Sequence, residues 1–278
     1  MMNLSKRRWA PIALLLGGVA APLLSISGCG GGGNGRTIPP PVVLGTPTPA
    51  PTPTVTPTPT PGPTPFPPGT TFEPNYRASI DAPRRWASFP ITIHFVQDAN
   101  LTPARRTLAI TGFNQWVEAT DTRVKYTIVN DANQADITVT FFTFMQGGTT
   151  LGQAIVAFDP QTSLIQNVRM ELGITGDNTE DINTAAHELG HSLGIIGSTN
   201  DLSHSPNRAD LMFTAGNTPR ATGGCACVTT ADRNTLYTIY NGQFPQRPNT
   251  ARRPEPLGPL ETIIVRQSRN RVCSFHHH

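Results

Sequence analysis

The placement of proline is the strongest constraint on how this chain can fold: 28 prolines are spread so unevenly over 278 residues that only part of the chain can form a globular core. From Gly30 to about Thr71 the sequence is Gly-rich and then an irregular Thr-Pro repeat, with almost nothing apolar enough to bury. Segments of this kind favour polyproline II at about 3.1 Å per residue, so roughly 35 residues reach roughly 100 Å. Residues 29–71 therefore read as a tether and 72–245 as one folded domain. Residues 246–278, again containing Pro and Arg, read as a C-terminal extension.

Residues 1–28 have the make-up of an export signal: basic Lys6, Arg7 and Arg8, an apolar run through Ile12, Leu14, Leu15, Leu16 and Val19 to Leu24, then small residues. Pro11 and Pro22 bracket that run, which is shorter than the ~20 residues a spanning helix needs. The ending Ile26-Ser27-Gly28-Cys29 resembles the lipobox of bacterial lipoproteins. That resemblance implies acylation of Cys29, which becomes the mature N-terminus, and a lipid-anchored, extracytoplasmic place in a bacterial cell envelope, with the membrane as a partner. More than one fatty chain would be needed for firm anchoring. Removing the three signal cations leaves 18 basic and 18 acidic residues, net zero. Proteins that neutralise many phosphates carry a clear surplus of Lys and Arg, so nucleic acid is excluded as a partner.

Within the folded part, Ile91, Ile93 and Phe95 alternate with Thr92, His94 and Val96, the period of a strand. Thr102 before Pro103 is a helix start, since a Thr hydroxyl caps a free amide and Pro tolerates the first helical position. Ala109, Phe113, Trp116 and Thr120 follow at helical spacing. Val124-Tyr126-Ile128 and Ile137-Val139-Phe141 alternate again, and Ala154–Phe158 and Leu164–Leu172 read as a strand pair around Asp159-Pro160-Gln161. The order predicts an α+β fold with helices packed on a twisted sheet.

The next helix, starting near Thr179, contains His187-Glu188-Leu189-Gly190-His191. Residues four apart share a helical face, so the two imidazoles can meet one ion at about 2.0–2.1 Å with Glu188 beside them. A helix with two chance histidines is the plain alternative, and the bare motif is only moderately specific. Here it continues: His187 through Gly194 closely resembles the matrixin form of the metzincin zinc-peptidase motif. In that pattern the glycine lets the chain leave the helix and return with a third ligand. The match then departs, because Gly197 stands where the family's third histidine is due.

The stretch His204-Ser205-Pro206-Asn207-Arg208-Ala209-Asp210-Leu211-Met212 resembles the family's segment from the third histidine to the Met-turn, with Ser198–Ser203 inserted ahead of it. Apart from the terminal His276, His277 and His278, which are set aside from the site, the only other histidine after the signal is His94. His204 is thus the preferred third ligand and Asp201 the runner-up. A later Glu as ligand fares worse, since the next after Glu188 is Glu255 in a Pro-rich stretch. Met212 takes the Met-turn position, and Thr229-Thr230-Ala231-Asp232 starts a closing helix.

The resemblance implies a metzincin-like twisted mixed sheet with an active-site helix, a Met-turn and a C-terminal helix. It further implies a zinc endopeptidase acting on protein or peptide substrates, with one catalytic Zn2+ held by His187, His191 and His204 and with Glu188 as general base. No clear motif supports a structural Ca2+. An extended substrate would lie along an edge strand, for which Ala154–Phe158 is the candidate. Cys225 or Cys227 could pair with Cys273, and no cysteine ahead of the domain other than Cys29 is present to restrain the zinc. The alternative function is a binding or structural lipoprotein that keeps the scaffold without turnover, supported by the insertion after Gly197 and opposed by Glu188.

Overall fold

The computed structural model describes residues 63–143, 150–213, 227–247 and 254–268. The signal, Cys29, most of the tether, Cys225, Cys273 and the terminal histidines lie outside the described residues. Among the described residues no helix is long and apolar enough to cross a membrane.

Among the described residues the fold is α+β, a mixed sheet with three α-helices. Strands β1 (Ile91–Phe95), β2 (Tyr126–Ile128), β3 (Ile137–Thr143), β4 (Thr150–Asp159), β5 (Leu164–Ile174) and β6 (Glu261–Ser268) form one sheet in the order β2-β1-β3-β5-β4-β6. The first four strands in that order run parallel, while β4 is antiparallel to both β5 and β6. The period-two residues Ile91, Ile93 and Phe95, and Ile137, Val139 and Phe141, all point into the core.

Helix α1 (Pro103–Ala119) begins where Thr102 and Pro103 predict, with the Thr102 hydroxyl accepting from the Arg105 amide at 3.2 Å. Its Ala109, Phe113 and Trp116 are buried, and burying side chains as large as the last two stabilises by about 1.5–3 kcal/mol each. The Trp116 indole N–H also donates to the Ala186 carbonyl at 2.8 Å, fixing α1 against helix α2 (Asn178–Leu193). Asp177 caps α2 by accepting from the amides of Thr179 and Glu180. Helix α3 (Thr230–Ile239) carries a capping box between Thr229 and Asp232.

Two features depart from the sequence expectation. β6 comes from the C-terminal extension, yet its Val265 and Gln267 are buried against the domain. In consequence β4, expected to form an edge, has a hydrogen-bonded neighbour on each side. The local pattern of β4 cannot reveal this, because the partner lies more than 100 residues downstream.

Candidate metal centre

Helix α2 turns His187, Glu188 and His191 inward, and all three are fully buried. The helix ends at Gly194, whose φ of 120° is a conformation that residues with a Cβ rarely adopt. A Cβ there would also lie 2.0 Å from the Arg84 carbonyl oxygen, so the exit from the helix requires glycine. The following Ile195 presents its carbonyl to His191 Nδ1 at 2.8 Å.

The insertion after Gly197 folds into a short return. The Ser203 hydroxyl accepts from the Gly197 amide at 2.9 Å and donates to the Thr199 carbonyl at 2.6 Å, while Ser198 bonds Asp81 through both its amide and its hydroxyl. Those bonds hold the Asp81 carboxyl below its ordinary pKa. A single 3-10 turn, Asp201–Ser203, then delivers His204 back to α2. The ring centroid of His204 lies 5.2 Å from that of His187 and 4.7 Å from that of His191.

Each imidazole is oriented through its Nδ1: His187 by the Leu211 carbonyl at 2.7 Å, His191 by Ile195, and His204 by the Asn200 carbonyl at 2.5 Å. A nitrogen facing a carbonyl must carry the proton, which leaves Nε2 of every ring as a lone-pair acceptor. Nε2 of His187 and His191 are 3.0 Å apart, and Nε2 of His204 is buried without a partner. Two facing lone pairs at that distance repel unless a cation lies between them. One ligand atom from each of the three histidines falls within 4.8 Å of the others, so the cluster can hold a metal ion. Neutral imidazoles on a converging triad suit zinc, whose N-ligand distance is about 2.0–2.1 Å. Burial, followed by the neighbouring His204, depresses the pKa of His187 to about 3. Burial likewise brings His204 to about 4, and both rings stay neutral as ligation requires.

Glu188 sits beside this cluster with both carboxylate oxygens buried. Burial raises its pKa well above the ordinary value. The Gln267 backbone amide of β6 offsets part of that rise, although its approach falls short of hydrogen-bond geometry. Met212 is fully buried with its sulfur against Gly190, on the helix that carries His187 and His191. Asp201 is exposed and outside the cluster, Glu255 is exposed, and His94 bonds the Val129 carbonyl at 3.2 Å on β1.

A supporting group escaped the sequence reading. Buried Asp232 at the start of α3 accepts from the Leu211 amide at 2.9 Å, the Met212 amide at 3.4 Å and the Tyr76 hydroxyl at 2.8 Å. Since Leu211 orients His187, the α3 cap is linked through the Met212 turn to a histidine of the cluster. The Thr229–Asp232 spacing marks a capping box in sequence, but only the fold shows that the same carboxylate reaches that turn.

No protein-family model and no curated protein matches this chain. A solved structure of myroilysin aligns with 55% of this chain and 95% of its own, at 15% identity and a TM-score of 0.35. A likeness that loose decides neither fold nor function, so the function is inferred from this chain's own residues.

Proposed function

We propose that this chain is a zinc-dependent endopeptidase of the metzincin type, on the observation that three buried imidazoles converge beside a buried, unpaired carboxylate. A site that only held zinc structurally would close with four protein ligands and have no use for a free base at its side. His187, His191 and His204 would hold the ion, which supplies Lewis acidity and lowers the pKa of a water toward ~7.

Glu188 would take a proton from the attacking water and return it to the leaving amine, since both of its buried carboxylate oxygens lack hydrogen-bond partners and are left to accept. The carbonyls of Leu211, Ile195 and Asn200 keep each histidine in one tautomer throughout. The enzyme is proposed to act on extracytoplasmic proteins while tethered through a lipid on Cys29, which the lipobox-like ending supports.

The complete burial of the site favours a second reading, a scaffold without turnover. Unfolded casein offered to the zinc-loaded chain separates the two. The peptidase cleaves it, a chelator stops cleavage, and Glu188→Gln abolishes cleavage while retaining zinc. Intact casein after incubation with every folded, zinc-loaded form, including chains in which β6 has been displaced, establishes the scaffold.

A further inference from the structure

We infer that strand β6 is a displaceable occupant of the peptide groove beside Glu188, and that this groove accepts an extended segment that turns a valine-sized apolar side chain inward. The inference rests on the peptidase reading for its meaning but not for its test.

β6 lies antiparallel along β4 from Phe158 opposite Glu261 to Gly152 opposite Gln267. Gly152 is the residue against which Glu188 packs: a Cβ placed there would lie 2.8 Å from Glu188 Cγ and Oε1. Gln267 therefore sits across from the contact point of the proposed base, with its amide facing that carboxylate. On the opposite side, the Arg266 amide donates to Asn200 Oδ1 at 2.8 Å, and the Asn200 carbonyl is the group that orients His204. β6 is thus threaded between the sheet and the inserted loop that delivers the third histidine. With it in place His187, Glu188 and His191 are 0% exposed and His204 is 3% exposed. Hydrolysis needs both water and a carbonyl at that point, so the strand must leave for substrate to enter.

Its attachment is that of a peptide on a sheet edge. Val265 and Gln267 face inward and are buried, while Ile264 and Arg266 face outward. This is how an added strand is held, by main-chain bonds along its length and pockets for alternate side chains. The stretch before it contains Pro254, Pro256 and Pro259 and exposes Leu257 at 68% and Leu260 at 39%. One anchor there is the Leu257 amide donating to Asp159 at 3.0 Å. Remove β6 and β4 becomes the edge, with Gly152 beside Glu188 and a pocket shaped for valine two positions from Gln267's place. Val265 and Gln267, the two buried side chains of the strand, are then the template of what the groove binds.

The test uses the full, zinc-loaded chain in three forms: wild type, Val265→Asp and Ile263→Pro, each substitution weakening the hold of β6 on the domain. A fluorescein-labelled peptide with the sequence of Glu261–Ser268 is titrated into each and followed by anisotropy, with thermal melting as the check on folding. Apparent affinity falls with the fraction of molecules whose groove is open, so both variants are expected to bind the peptide at least roughly tenfold more tightly than wild type. Equal affinity in folded variants overturns the inference. Loss of cooperative melting in both variants also overturns it, because β6 would then be an integral strand of the sheet. Binding without cleavage, read by chromatography, upholds the occupied groove and counts against the peptidase instead.

Discussion

Gly152→Ala should separate the base from the metal. The new Cβ would stand 2.8 Å from Glu188 Cγ and Oε1 and 2.9 Å from Thr184 Cγ2, while contacts of 3.4 Å and beyond are ordinary. The end of the Glu188 side chain is the movable partner, so it must retreat by about 0.6 Å, and misplacements approaching 1 Å cost up to about 100-fold in rate. Overpacking adds a stability cost of about 1–3 kcal/mol, lower here because the obstructing atoms can swing. No histidine is among the atoms that the new Cβ would meet most closely. The expected outcome is a folded protein with unchanged zinc content and a kcat reduced roughly ten- to hundredfold against its parent with the same C-terminal strand. Steady-state cleavage of a quenched peptide and metal analysis read the two quantities. Turnover equal to the parent would refute the placement of Glu188 as base, and lost zinc would show that the strand supports the metal site directly.

Asp232→Ala should lower both stability and zinc affinity. It strips a buried acceptor from the amides of Leu211 and Met212, at about 1–3 kcal/mol for each group left unsatisfied, and loosening Leu211 should weaken zinc roughly ten- to hundredfold. Melting curves and competition with a chromophoric chelator measure these, and unchanged zinc affinity would break the proposed link from α3 to His187. The metal-free protein should lose stability on acidification. His187 and His204 titrate at about 3 and about 4 in the fold against 6.5 ordinarily, so the unfolded chain takes up protons first as pH falls. Their contribution is therefore complete above pH about 6.5 and is lost as pH falls to about 4 for His204 and about 3 for His187, by up to about 1.4 kcal/mol per pH unit per histidine. Urea midpoints at pH 7 and pH 5 test this, and coincident midpoints contradict it.

Much of the fold could be read locally. The alternating triplets of β1 to β3, the Thr102-Pro103 start of α1 and the Thr229 start of α3 each rely on neighbours within a few residues, and each forms, with β2 shortened to Tyr126–Ile128 so that Val124 lies just before it. The His187-Glu188-x-x-His191 face needs only the helical period. His204 required more, because its approach depends on Ser203 and Ser198 tying the insertion into a compact return. β6 was illegible for the complementary reason. Its β-branched run Thr262–Val265 carries strand propensity, but the flanking prolines mask it, and its register is set by β4 alone. Asp232 shows the same limit, since a cap is a local device and its second set of bonds is not.

His187, His191 and His204 are proposed together as the protein ligands of one zinc ion. Zinc content after dialysis against a weak chelator, compared between wild type, His204→Ala and Asp201→Ala, distinguishes this set of ligands from the one with Asp201. One equivalent of zinc is expected in wild type and in Asp201→Ala, and its loss from His204→Ala. Zinc fully retained by His204→Ala, or lost from Asp201→Ala alone, would contradict it.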